Sequence, residues 1–270
     1  MKRVFLALVV SLLAAAGCSD PGSGRPEAAA SEGTDASGGT AGTVKGVVTV
    51  FAASSLTDVF ATLDEQFRRQ HRGTTVRFNF GSSSALAQQV TSGAPADVFA
   101  AASPATMQVA VEGKAVSGTP TEFARNRLMI AIPAGNPGRV RALRDFADVR
   151  RTFALCAPQV PCGAASATAF AAAGVRPAPD SLERDVRAAL SRVRLGEVDA
   201  ALVYRTDISA AGRQVEGIDF PEAARAINPY QIAVLDGAPN DAAAQAFVRL
   251  LLSPVGQRIL RDAGFDAPAG

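Results

Sequence analysis

The sequence predicts an α/β protein built from mostly parallel strands with helices on both faces. Three observations predict it. Short apolar or β-branched runs alternate with stretches of helical periodicity through residues 46–270. Two of the runs end in serine clusters, Ser54-Ser55 and Ser82-Ser83-Ser84, at the point where a helical pattern begins. The chain is also 48% apolar over 270 residues, with no Trp, which supports one large domain or two of ordinary size.

The elements follow in order. Residues 47–51 form a buried strand, and Leu56, Val59, Phe60, Leu63 and Phe67 then recur at helical spacing. Residues 76–80 form a second strand, followed by a helix opened by Leu86 and Val90. Strands are expected at 98–101 and 127–132. The second half repeats the alternation: a strand at 152–156, a Pro-flanked loop at 157–163, and an Ala-rich helix at about 164–173. An amphipathic helix is expected over 182–195, with Val186, Leu190 and Val193 on one face, then strands at 198–204 and 229–235. Helices at 242–252 and 254–263 close the chain; the second opens with Ser253 as N-cap and Pro254 in the first turn.

The first 45 residues have a different composition. Lys2 and Arg3 precede an apolar run at 4–16 that is shorter than the about 20 residues needed to cross a bilayer, and Ala15, Ala16 and Gly17 follow. Residues 1–17 thus read as a secretory signal peptide. Gly17 followed by Cys18 resembles a bacterial lipobox, which implies cleavage before Cys18 and a lipid anchor on its thiol, with the protein exported and held on the extracytoplasmic face of the membrane. Ala15 departs from that pattern, where Leu is commoner; the alternative is an ordinary signal peptide with an incidental Cys. Residues 19–45, rich in Gly, Ser, Ala, Thr and Pro, read as a disordered tether with a root-mean-square reach of about 30 Å.

Composition excludes several functions. Removing residues 1–17 takes away Lys2 and Arg3 and no acid, so basic and acidic side chains balance, and no basic stretch is interleaved with aromatics. Nucleic acid is therefore not an expected partner. The one histidine, His71, lies at a helix end; a serine hydrolase would have to use it, and the chain has no Gly-x-Ser-x-Gly elbow. No metal-cation site and no phosphate-binding loop are indicated, and no enzyme activity is expected. With Cys18 assigned to lipid, Cys156 and Cys162 remain as an even pair in an exported protein, and a disulfide between them is expected; two free thiols in a packed turn are the alternative.

Helix starts next to strand ends offer unpaired N–H groups and partial positive charge, which suit an anion. Ser54-Ser55 and Ser82-Ser83-Ser84 add rotatable hydroxyls, the turn Pro161-Cys162-Gly163 adds bare backbone N–H groups, the helix around Val186 adds a fourth set, and Tyr204 ends a strand with a phenol. Taken singly, each serine reads first as an ordinary N-cap.

Six ordered segments carry a resemblance. Val48 to Asp58 (VTVFAASSLTD), Phe80 to Gln89 (FGSSSALAQQ), Gly93 to Phe99 (GAPADVF), Val160 to Gly163, Asp185 to Leu190 and Ala201 to Asp207 (ALVYRTD) resemble, in order, the periplasmic molybdate-binding proteins of ABC transporters; Phe247 to Phe265 resembles their C-terminal end. The resemblance implies the two-lobed type II periplasmic-binding fold, with an oxyanion in the interlobe cleft and lobes of 46–127 plus 232–270 and of 128–231. It implies as donors the hydroxyl and amide of Ser55 and of Ser83, the backbone N–H of Cys162 and of Val186, and the Tyr204 hydroxyl. It further implies molybdate or tungstate as ligand, no cofactor, a monomer, and an ABC permease with its ATPase as partners. A sulfate or other small-oxyanion receptor shares this logic and stays open as the alternative.

Overall fold

A computed structural model describes residues 44–269. The expected signal peptide, Cys18 and almost all of the tether lie outside the described residues. Among the described residues no helix is long and apolar enough to cross a membrane.

Two five-stranded sheets organise the chain. The first has the order β2 (Thr74–Gly81), β1 (Gly46–Ala53), β3 (Val98–Ala101), β10 (Asn228–Leu235), β4 (Val116–Asn126). The second has the order β7 (Ser181–Glu183), β6 (Phe153–Cys156), β8 (Ala200–Tyr204), β5 (Leu128–Pro133), β9 (Val215–Ile218). In each sheet four strands share a direction and one is reversed: β10 in the first, β5 in the second. The reversed strands are those by which the chain enters each sheet from the other. Only Arg127 separates β4 from β5, so the backbone runs straight from one sheet into the next with no room to turn.

Helices α1 (Thr57–Gln70), α2 (Ser83–Thr91), α3 (Pro104–Glu112), α7 (Asp241–Leu252) and α8 (Pro254–Asp262) accompany the first sheet; α4 (Pro161–Ala173), α5 (Val186–Arg194) and α6 (Arg205–Ala211) accompany the second. Strand alternation sorts the first sheet's side chains into two cores. Val48, Val50 and Ala52 face one with Phe60, Phe67, Phe123 and Phe247, whereas Phe51, Phe99 and Leu235 face the other with Leu86 and Met107. The second sheet has a core of its own around Phe146, Phe153, Phe170 and Leu202.

Several elements differ from expectation. The return crossing, which the expected lobe bounds put between 231 and 232, lies earlier, because Asn228 already pairs with Asn126 as the first residue of β10, while Ala226 still packs in the second core. The two crossings are thereby neighbours. The helix expected over 182–195 begins at Val186; Ser181–Glu183 is an edge strand beside β6, and Asp185 caps the helix by accepting from Ala188 N at 3.0 Å. Helix α4 begins at Pro161 rather than near 164.

Cys156, at the end of β6, and Cys162, in the first turn of α4, form a disulfide with Cα atoms 5.7 Å apart. Its loop is short, so reduction is expected to lower stability by only about 2 kcal/mol on the chain-entropy account. Denaturant midpoints with and without reductant would measure this, and a loss several times larger would show that the bridge holds α4 in place rather than merely restricting the unfolded chain.

Candidate functional site

Four helix starts converge on one small cavity. Ser55 lies in a 3-10 turn at Ser54–Leu56 that leads into α1, Ser83 is the first residue of α2, Cys162 the second of α4, and Val186 the first of α5. These residues and Tyr204, the last residue of β8, all line the same cavity, whose volume is about 10 Å³. That is about the room of one water molecule, far below the about 300–1,000 Å³ of pockets for drug-sized ligands. A cleft of about 360 Å³ adjoins it through Ser55, but carries the carboxylates Asp58 and Asp262.

Local hydrogen bonding explains which donors remain free. Ser82 caps α2 by accepting from Ala85 N at 3.2 Å, which spares Ser83 from capping. The Ser83 Oγ accepts from Ala102 N at 3.0 Å, so its proton is free. Pro161 occupies the first position of α4, where no N–H is needed, and the helix's bonding starts with Ala164 N donating to Val160 O at 3.0 Å. The N–H groups of Cys162 and Gly163 precede that bond and have no helical partner. The sulfur of Cys162 is consumed by the disulfide, so the residue offers its backbone. Asp185 also lines the cavity, and its carboxylate is turned to the Ala188 N–H at the head of α5.

Tyr204 is 1% exposed, and its hydroxyl has no hydrogen-bond partner among the described residues. Burial pushes its phenol well above the ordinary tyrosine range, with neighbouring Tyr230 and Asp207 adding to the effect, so it stays protonated and a donor. A buried unpaired hydroxyl costs about 1–3 kcal/mol, and an acceptor in the cavity relieves that cost. Among the described residues no Lys or Arg lines the cavity. Arg187 pairs with Asp58, 2.6 Å apart, which joins α5 of the second sheet to α1 of the first. Ser84 Oγ donates to Gln159 O at 2.6 Å beside it, a second tie between the two halves. The cavity therefore offers a compact anion neutral donors and four helix starts, with its walls drawn together.

Sequence reasoning missed a buried polar set behind this wall. Ser55 Oγ lies 2.8 Å from Tyr230 Oη; Asn126 donates to Thr206 Oγ1 at 2.8 Å; Asp207 Oδ2 accepts from Tyr204 N at 3.0 Å. The signals were present: Tyr230 is one tyrosine in a mostly apolar strand, and Asp207 stands three residues after Tyr204, the spacing of a first-turn helix cap.

The sequence pattern of the bacterial extracellular solute-binding proteins matches residues 48–266. The molybdate-binding protein ModA of Mycobacterium tuberculosis is 40% identical over 221 residues, covering 82% of this chain and 85% of that one. Among solved structures, the periplasmic molybdate-binding protein of Azotobacter vinelandii superposes with a TM-score of 0.68 at 22% identity, over 82% of this chain and all of that one. The sulfate-binding protein SubI of M. tuberculosis superposes equally well, with a TM-score of 0.69 at 19% identity over 82% and 86% of the two chains. The backbone alone thus does not choose between these anions, and it is the sequence match that is selective: the chain belongs to the ModA family of bacterial extracellular solute-binding proteins.

Proposed function

We propose that this protein is the extracytoplasmic receptor of an ABC importer, and that it captures molybdate, with tungstate as an equivalent ligand, and delivers it to the permease and its ATPase. The observation that carries this is the convergence of Ser55, Ser83, Cys162, Val186 and Tyr204 on one small cavity that no cation lines. The 40% identity to a molybdate-binding protein supports molybdate as the ligand. The oxyanion is held by the hydroxyls of Ser55, Ser83 and Tyr204 and by the backbone N–H groups of Ser55, Ser83, Cys162 and Val186. Hydrogen bonds to a charged group are worth about 1.5–3 kcal/mol each, so several suffice for tight binding without a fixed cation.

The two sheets act as lobes, hinged at the adjacent crossings around Arg127 and Asn228, and the ligand drives closure because it draws donors from both. The protein works as a monomer. Residues 1–17 serve for export, and acylated Cys18 anchors the mature protein to the membrane.

Isothermal titration with molybdate, tungstate, sulfate and phosphate tests the reading. Submicromolar binding of the first two, without heat from the others, is expected. Ser55→Ala, Ser83→Ala and Tyr204→Phe are each expected to weaken molybdate binding by about ten- to a hundredfold. Three unchanged curves would remove the site assignment, while strong sulfate binding would keep the site and replace the ligand.

A further inference from the structure

Asn228 opens β10 on the return crossing and is buried, but it does not line the cavity. The ladder between β10 and β3 ends where Gln231 pairs with Ala101, because Ser103 already caps α3 by accepting from Thr106 N at 3.3 Å. Ala102 lies between ladder and helix, buried, on the cavity wall. Side chains hold its backbone on both sides. Asn228 Nδ2 donates to Ala102 O at 2.9 Å, and Ala102 N donates to Ser83 Oγ at 3.0 Å. Both directions are fixed, since a backbone carbonyl only accepts and a backbone N–H only donates. The other half of the Asn228 amide, Oδ1, is buried with no partner among the described residues. An amide that satisfies one buried group and leaves another unpaired gains little net stability. What it does achieve is placement of the Ala102 peptide.

Resting on the oxyanion-receptor reading, we infer that Asn228 is a positioning residue that acts from the crossing between the two sheets, through the Ala102 peptide, to hold the Ser83 hydroxyl where the ligand needs it. The bond from Ala102 N selects one rotamer of Ser83, and the bond from Asn228 fixes the plane of the peptide that makes it. Without the amide, that peptide is free to tilt between β3 and α3, and Ser83 Oγ follows it. Binding constellations tolerate only about 0.5 Å of displacement. The Ser83 backbone N–H belongs to the start of α2 and is not part of this relay. Asn126, paired with Asn228 across the ladder, supplies the contrast: its amide donates to Thr206 Oγ1 at 2.8 Å and accepts from Arg127 N at 3.0 Å, so it serves the same crossing without a link to Ser83.

The test is a double-mutant cycle read by titration calorimetry with molybdate on wild type, Asn228→Leu, Ser83→Ala and the double variant. Leucine keeps the approximate volume and removes the donor; Asn228→Ala, run through the same cycle, replaces it should leucine prevent folding, which thermal melts check. Asn228→Leu is expected to weaken binding about tenfold in the wild-type background and less than about twofold once Ser83 is alanine. Its loss of melting temperature, by contrast, should be the same in both backgrounds, which separates placement of the hydroxyl from plain destabilisation. Asn126→Leu is the control for the crossing, and whatever it costs in affinity should be the same with and without the Ser83 hydroxyl. Unchanged affinity of Asn228→Leu, equal binding losses in both backgrounds, or an equal coupling of Asn126→Leu to Ser83 would overturn the inference, since Asn228 would then act through the crossing as a whole or not at all. Failure of the wild type to bind any tetrahedral oxyanion would instead defeat the receptor reading, and is distinguishable on that ground.

Discussion

Gly163→Ala is expected to lower stability by about 3 kcal/mol and to weaken oxyanion binding at least a hundredfold. A Cβ placed at Gly163 would lie 1.9 Å from the carbonyl oxygen of Ala157 and 2.8 Å from that of Cys156. Both are backbone atoms, so no side chain can swing aside. The disulfide ties Cys156 to Cys162, and this prevents the turn from opening to make room. The start of α4 must move instead, at the upper end of the usual cost of overpacking. Cys162 N–H moves with it, and binding constellations tolerate only about 0.5 Å of displacement. A chain of this size should lose about 6–12 °C of melting temperature. Gly174→Ala supplies the control: that residue ends the same helix at φ 64°, with nothing within 4 Å of an added Cβ. It should cost about 1 kcal/mol from its left-handed backbone and leave titration with molybdate unchanged. Comparable binding losses in both variants would mean that α4 stability, and not the placement of Cys162, governs affinity.

The residues that surround the cavity were the legible part of this chain, for a physical reason. Serine clusters at strand-to-helix junctions, and Pro161 before Cys162 and Gly163, are local features in which sequence spacing alone sets which N–H groups stay free. What could not be read was long-range pairing. β4 is polar and interrupted by Gly118 and Pro120, and it is a strand because β10 pairs along it with two register shifts. Ser181–Glu183 carries a helical-looking apolar residue, Leu182, that is 58% exposed at a sheet edge and contributes little to a core. Tyr230, Asn126 and Thr206 meet only because the two crossings lie side by side, 80 or more residues apart in sequence. The site's inner wall was legible from local chemistry, and its support was not, because that support belongs to the topology.

Asp207→Asn is expected to stabilise the protein above neutral pH and to do nothing near pH 4. Asp207 is 1% exposed in the first turn of α6; Oδ2 accepts from Tyr204 N, and Oδ1 has no partner among the described residues. Burial pushes its carboxyl up to about 7, opposed by the Tyr204 N–H and by Arg187 and assisted by Asp58 and Asp185. An unfolded chain would ionise it near its ordinary value of 3.8. Below that value both states hold the proton and pH has no effect through this group. Between about 4 and 7 the folded protein keeps a proton that the unfolded chain has released, so stability falls as pH rises; above 7 both are ionised and the loss is constant. At about 1.4 kcal/mol per unit the full effect is of the order of a few kcal/mol. Asparagine keeps an acceptor for the Tyr204 N–H and carries no charge, so the variant should melt several degrees above wild type at pH 8 and converge with it near pH 4. Other carboxyls work in the opposite sense: Asp266, partly buried, is nevertheless held low by Arg205 and Arg127, and its contribution is lost as pH falls. Only the difference between variant and wild type isolates Asp207, and parallel melting curves from pH 4 to 8 would show that the buried acid stays ionised. A neutral acid here also has a bearing on the ligand. Asp207 bonds the backbone of Tyr204, which lines the cavity, and as the acid ionises above about 7 its charge would oppose a bound dianion.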